Sequence, residues 1–403
     1  MIALDDAHAA RHAGADLLSL ALIDTRNEVL RWLALFEAHG ALQAGAGGST
    51  PLWLAAHGGW YQDYWIARHV QRQRGDTAEP GALHLPPADA AVEAWICGAD
   101  IPPGPQRLRQ WLSETLERTL ELLPNAAMAA ARGADADAAL HYFRLALRHE
   151  DRIAETLAER AIELQLPAGD LLPPMPLRPA RDPLWQPAQT VLLGSPPGGT
   201  VPENERWAHA VAVPAFEIDA QAVSWAQYIE FAEDGGYDRR AFWTEPGWAW
   251  LQAAQTAEGR RAPRHVEQLR GAVYVQRQGQ MQRVAAGQPV LHVSRFEAEA
   301  WCRWAGRRLP TEPEWVAAAQ GGASRGFVWG DVFEWVGGSA RAWPGYSAAP
   351  GALDALPGAG SVVHGVLKGA SWMTRPRARH VQARRFAPPS RDTMLCGFRS
   401  CAL

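Results

Sequence analysis

Lysine is nearly missing from this chain: Lys368 is the only one among 39 basic residues, and the formal net charge is -4. That balance, with no block of one sign, supplies no field for nucleic acid and no patch for an anionic membrane. Cysteine is scarce as well. Cys97, Cys302, Cys396 and Cys401 are widely scattered with no C-x-x-C pair, which argues against a disulfide framework and a structural zinc site. No apolar run approaches the roughly 18 residues of a membrane span. The opening M-I-A-L-D-D-A-H carries acids where a secretory signal carries positive charge, so a soluble cytoplasmic protein is expected. What remains is a globular composition, 47% hydrophobic and 20% charged, in a chain of 403 residues that suits two or three domains. Tryptophan is plentiful: most of the 19 lie after residue 180, which predicts a loop-rich region pinned by large side chains.

The first 166 residues read as helices. Leu18, Leu22, Val29, Trp32 and Phe36 recur on one face between 14 and 38, and His39-Gly40 closes the run. Ser49-Thr50-Pro51 supplies a cap with proline at the first helical position, opening a helix that carries His57. Leu108, Leu112, Leu116, Leu120 and Leu123 mark a third, with Pro124 as its stop, and a fourth runs from about Asp137 to Leu166. The A-G-A-G-G run at 44 to 48 lacks the strand, lysine and helix of a phosphate loop and reads as a linker; the Ala-rich stretch 126 to 139 reads as a flexible connector. These elements predict a four-helix bundle over 1–166. A linker with seven prolines, 167–189, then separates it from a region of short strands and helices, 190–403.

The most particular stretch of that region is P-V-L-H-V-S-R-F-E-A-E-A-W-C-R-W-A-G-R-R-L-P-T-E-P-E-W at 289 to 315. Its pattern predicts a short strand at His292 to Ser294 and a helix from Phe296 to Ala305 closing on Gly306. It resembles the signature of the formylglycine-generating-enzyme-like fold, the module shared with the iron-dependent sulfoxide synthases of ergothioneine biosynthesis. V-L-L-G-S at 191, V-S-W-A-Q-Y at 223, E-D-G-G-Y at 233, V-L-K-G-A-S-W at 366 and C-G-F-R-S-C-A at 396 are similar to that branch, and most like its selenoneine synthases. In the helical part, P-L-W-L-A-A-H-G-G-W at 51 is similar to P-x-W-x-x-x-H-x-x-W, and R-H-E-D-R-I-A-E at 148 to H-E-x-x-H-x-E. The resemblance implies an α + (α+β) architecture: a DinB-like four-helix bundle followed by a C-type-lectin-like, formylglycine-generating-enzyme-type domain.

It also implies chemistry. Three neutral imidazoles would hold Fe(II) and leave positions open for O2 and substrate, and a sulfur or selenium donor would be joined to C2 of the imidazole of hercynine. By motif, His57 and His149 are the metal ligands, Trp60 and Arg391 contact substrate, and Tyr346 is the nearest candidate for the catalytic tyrosine. The third ligand position is Ile153, which has no lone pair; Asp151 or Glu155 is the carboxylate at hand to replace it. The donor-binding arginine between the second and third helices is missing, and Ala387 stands where an acidic or tyrosine residue belongs. The other reading is therefore a non-catalytic or repurposed paralogue that binds a small cationic or amino-acid ligand. Cys396 and Cys401 are not expected to form the copper site of formylglycine-generating enzymes, since a spacing of five on a strand sends the sulfurs to opposite faces. The arginines from Arg375 to Arg385 are expected to bind a substrate carboxylate or to serve the structure, not to bind nucleic acid.

Overall fold

The computed structural model describes residues 3–45, 49–68, 87–99, 101–131, 135–348, 350–353, 356–358 and 362–403. The end of the glycine-rich linker, 46–48, lies outside them. A short helix α1 (Ala7–Arg11) leads into α2 (Ala15–Ala38), which buries the apolar stripe from Leu18 to Phe36. α3 (Pro51–Gln62) begins where the Thr50 side chain accepts a hydrogen bond from the Trp53 N–H, and it widens into a π-type turn over Asp63–Arg68. α4 (Ala90–Ile96), α5 (Pro105–Ala131) and α6 (Ala136–Glu163) complete the helical half. Helices α2, α3, α5 and α6 pack on one another around Trp32, Phe36, Trp111, Leu112, Ile153 and Leu157 at one end and Leu22, Tyr61, Leu123 and Phe143 at the other.

Pro124 does not end α5, which continues through it to Ala131. Proline costs the helix one hydrogen bond, but Leu122, Leu123 and Ala126 are buried on either side and hold both flanks against the bundle. The expected Ala-rich connector is correspondingly helical up to Ala131 and again from Ala136; 132–134 lie outside the described residues.

The two glycines after His57 serve helix packing. A Cβ on Gly58 would stand 3.1 Å from Ile153 Cδ1 and 3.2 Å from Glu150 Oε1, and one on Gly59 would stand 2.7 Å from Leu112 and Trp111. Gly59→Ala is accordingly expected to destabilise the fold by about 1–3 kcal/mol, the usual cost of overpacking, despite alanine's better helix propensity. Urea denaturation checks this; an unchanged midpoint would remove the packing role assigned to Gly59.

The proline-rich strap lies over the second half, carrying β1 (Leu184–Gln186) and leading into β2 (Gln189–Leu193), which pairs with β3 (His209–Val213). β1 joins an antiparallel sheet with β4 (Phe216–Ile218), Cys401–Ala402 and Arg307–Arg308; Phe333–Val336 is flanked by antiparallel Gly365–Gly369 and parallel Cys396–Phe398, with Arg384–Ala387 outermost. A further sheet, Val266–Arg270, Ala272–Arg277 and Gln280–Val284, was not expected from the sequence, nor were the helices Glu245–Glu258 and Glu312–Gly322. Cys396 and Cys401 fall in different sheets as free buried thiols, and burial pushes both up in pKa.

The signature stretch is largely a folding device. Ser294 caps the helix Arg295–Trp304 in a reciprocal box with Glu297. His292 to Ser294 is not the expected strand: it is irregular, and His292 sits at φ 60°. Further on, Arg308 grips Glu314 at 2.7 and 2.8 Å, while buried Trp315 donates to Glu334 at 2.7 Å and Trp335 to the Val293 carbonyl at 2.8 Å. Tryptophan N–H groups and arginines thus satisfy polar backbone and carboxylates inside a loop-rich core.

Candidate functional site

His57 projects from α3 and His149 from α6, and their packing brings His57 Nδ1 to 2.7 Å from His149 Nε2. Burial lowers the His57 pKa to about 4, so this imidazole is neutral near pH 7 and holds a lone pair. Trp53 stacks on His57 at 4.8 Å between ring centres, Trp60 lies at 5.1 Å, and Tyr61 lies 5.1 Å from His149. Trp60 in turn stacks on Tyr64, and Trp65 on Tyr142. The i, i+4, i+7 spacing of Trp53, His57 and Trp60 produces one face of this surround. The indole N–H of Trp60 is buried without a partner among the described residues.

A loop from the second half covers it. The Gly351 carbonyl accepts from Tyr61 Oη at 2.9 Å, and Gly351, at φ 77°, would put a Cβ only 3.0 Å from that hydroxyl and 3.1 Å from Tyr142. Leu353 O accepts from Arg152 at 3.4 Å. Tyr346 belongs to the same loop, its hydroxyl accepting from the Leu356 N–H at 3.4 Å, and it makes no ring contact or hydrogen bond with either histidine. Arg391 is exposed and pairs with nothing among the described residues, though its charge reaches Glu159 on α6. The structure therefore gathers His57, His149 and Trp60 and leaves Tyr346 and Arg391 apart from them.

Ile153 is 3% exposed and packs in the core beside Gly58. The carboxylates nearest it on the helix, Glu150, Asp151 and Glu155, are committed. Glu150 is held by Arg26. Asp151 takes both arms of Arg377 at 2.7 and 2.8 Å. Glu155 accepts from Ser371 and Thr374 and pairs with Arg385. Moving Asp151 to the histidines would take a carboxylate from buried Arg377, and moving Glu155 would take one from half-buried Arg385. Two imidazole nitrogens on one ion stand roughly 3 Å apart, from metal–nitrogen bonds of about 2.1 Å at right angles, so His57 and His149 suit a shared metal. Among the described residues, no group of three His, Cys, Asp or Glu side chains is placed to hold a metal.

The arginine-rich stretch is the seam between the halves. Arg377 also reaches Asp24 at 2.8 Å, Arg375 approaches Glu28 at 3.4 Å, and Arg11 reaches back from α1 to Glu205 at 2.6 Å. Burial would push Glu205 up, but the charges of Arg11, His380 and Arg148 outweigh it and hold the carboxyl at about 2. Sequence reasoning left Arg375, Arg377 and Arg385 between two roles because their carboxylate partners lie more than 200 residues away.

Residues 175–343 match the sulfatase-modifying factor enzyme 1-like domain. Over nearly the whole chain, a hercynine oxygenase from Mycolicibacterium thermoresistibile is 29% identical across 437 residues, 95% of this chain and 94% of its own. A hercynine oxygenase from Mycobacterium tuberculosis is 29% identical over 87% of this chain and 90% of its own. A formylglycine-generating enzyme from Streptomyces coelicolor is 36% identical over 138 residues, 32% of this chain and 44% of its own. Likeness to the hercynine oxygenases thus takes in both halves. No helix is long and apolar enough to cross a membrane among the described residues.

Proposed function

We propose that this chain is an oxidative enzyme that acts on hercynine. The observation that carries the reading is the similarity to hercynine oxygenases over 95% of the chain, helical half included. The aromatic surround supports it, because the faces of Trp53, Trp60, Tyr64 and Trp65 suit a trimethylammonium group. In finer terms, we assign a cytoplasmic synthase of the selenoneine or ergothioneine type that joins a selenium or sulfur donor to C2 of the hercynine imidazole at the expense of O2. A DinB-like bundle over 1–166 and a formylglycine-generating-enzyme-like domain over 190–403 would flank the site. Trp60 and Arg391 would bind substrate, and Tyr346 would be the catalytic tyrosine.

One observation favours a second reading. Ile153 fills the place of a third iron ligand, and a hercynine-binding paralogue without oxidative chemistry needs none. Both readings require hercynine. Calorimetric titration of the natural chain with hercynine is expected to show saturable binding, weakened roughly 3- to 30-fold in Trp60→Ala, the range of one cation–π contact. Oxygen uptake on adding hercynine with cysteine or a selenosugar then separates enzyme from binder. Absence of hercynine binding overturns both.

A further inference from the structure

Phe333–Val336 and Gly365–Gly369 are neighbouring antiparallel strands, yet a long connection joins them. A hairpin needs about 2–5 residues. This link runs from 337 to 364, and beyond the single bridge at Gly337 its described residues form neither helix nor strand. Connections longer than about 12–15 residues without structure of their own are uncommon in a compact fold, and those that occur are usually binding loops or lids. The extra length carries the link out of the second half and onto the helices, at the aromatic surround of His57 and His149.

Its near end is fixed. Trp343 is buried, with the Arg384 guanidinium 3.9 Å from its ring centre, and the Arg341 carbonyl accepts from the same arginine at 3.1 Å. The Trp207 N–H donates to the Pro344 carbonyl at 3.1 Å. The chain then turns at Gly345, φ 91°, where an added Cβ would stand 2.3 Å from Trp207 Cδ1, so the turn requires glycine. Past it, Ser347, Ala348 and Pro350 are exposed.

The tip is held lightly. Tyr61 Oη donates to the Gly351 carbonyl at 2.9 Å, Arg152 reaches the Leu353 carbonyl at a long 3.4 Å, and the half-buried Leu353 packs against the cluster that contains Leu22, Tyr61 and Phe143. The seam nearby is clamped far more firmly, by the buried two-pronged Arg377–Asp151 pair. Segments with few buried contacts open locally while the rest of a fold stays intact. The tip can therefore leave the helices without parting the halves.

It also lies where a ligand has to pass. An added Cβ on Gly351 would stand 3.0 Å from Tyr61 Oη, 3.1 Å from Tyr142 Cε1 and 3.4 Å from Trp65 Cδ2, so the backbone here rests directly on three rings. Tyr61 is 5.1 Å from His149, and Trp65 stacks on Tyr142 at 5.2 Å. A cation needs an open ring face. With Tyr142 stacked on Trp65 and Gly351 against both, that part of the surround is shut while the tip is docked.

We infer that this tip is a lid over the His57–His149 surround: pivoting at Gly345, it lifts Gly351 off Tyr61 to admit a cationic ligand and docks again behind it. Hercynine as that ligand rests on the reading above; the lid itself is testable without it.

Two variants loosen the tip in different ways. Tyr61→Phe keeps the ring and deletes the hydroxyl that holds Gly351, and Gly351→Ala wedges a methyl group against the rings. Chymotrypsin applied to the native full chain, with fragments identified by mass spectrometry, reads cutting after Leu353, which tracks the lifted population when reclosing is fast. Cutting there is expected to be about 3- to 10-fold faster in both variants, the equivalent of one neutral hydrogen bond, with little change in thermal midpoint. Stopped-flow tryptophan fluorescence with hercynine then reads the gate. Association should quicken by a similar factor in both variants. In Gly351→Ala dissociation should quicken equally, leaving the affinity within about twofold, whereas a merely structural tip would alter affinity without speeding entry. Unchanged cutting after Leu353 in both variants overturns the lid, and so does hercynine binding that enters no faster in either. Faster cutting with no hercynine binding upholds the lid and removes the ligand assigned to it.

Discussion

Ile153→His is expected to bind Fe(II) on the order of 100-fold more tightly than the natural chain, the gain of a third imidazole on a site with two already in place. Position 153 is four residues after His149, on the same face of α6, and Ile153 Cδ1 already lies beside Gly58, the residue after His57. An imidazole built there enters the space next to the His57–His149 pair, whose nitrogens stand 2.7 Å apart. Without metal the variant loses about 1–3 kcal/mol, because a buried ring nitrogen replaces well-packed methyl groups. With Fe(II) at 100 times its dissociation constant it regains about 2.7 kcal/mol by mass action. Anaerobic competition against a chelator measures the affinity, and thermal midpoints with and without iron measure the stability. If the natural chain holds iron as tightly as Ile153→His, a third ligand exists beyond the two histidines, and the synthase reading displaces that of a binding paralogue.

The same residues show what a sequence can disclose about this protein. His57, His149 and Trp60 are local: each sits in a helix whose cap, period and glycine spacing are written within a dozen residues, so their helical placement is legible. Their aromatic neighbours Trp65 and Tyr142 come from helices whose pairing is a tertiary fact, and the Gly351 carbonyl that caps Tyr61 comes from 290 residues away. Two glycines directly after His57 leave a helix face bare of side chains, which the sequence itself displays as a place for close approach. What approaches, however, is Trp111, Leu112, Glu150 and Ile153, and those partners it does not display. Pro124 misled because the burial of its flanks outweighs one lost hydrogen bond. Val266–Val284 escaped notice because glutamine and arginine alternate with valine on a half-exposed hairpin; the Gln278-Gly279 turn was the available signal. His292 looked like a strand residue from its apolar neighbours, and only the carbonyls of Asp392 and Met394, a hundred residues on, explain its turned backbone.

The seam between the halves carries the largest expected loss of stability. Arg377→Met is expected to destabilise the protein by about 3–5 kcal/mol, the cost of leaving a buried carboxylate without its partner. The Arg377 side chain is 1% exposed and Asp151 4%, and the pair is two-pronged, with Asp24 on the third guanidinium nitrogen. The size of the loss comes from what remains. Asp151 and its neighbour Glu150 would face a low-dielectric interior with one cation fewer, and methionine satisfies neither. If that account is right, Arg377→Met/Asp151→Leu should recover much of the loss, because the orphaned charge goes with its partner; the double variant would then be far less damaged than the sum of its singles. Urea denaturation followed by tryptophan fluorescence, dominated by the second half, and by far-ultraviolet circular dichroism, dominated by the helices, measures both effects. Asp151 lies two residues from His149 and two from Ile153 on α6, so the clamp that joins the halves also fixes the rotation of the helix that aims His149. Arg377→Met should therefore weaken hercynine binding beyond what its unfolded fraction explains. A variant that loses 3–5 kcal/mol yet binds hercynine at full strength per folded molecule would show the seam to be a fastening alone, with the histidine surround positioned by the bundle.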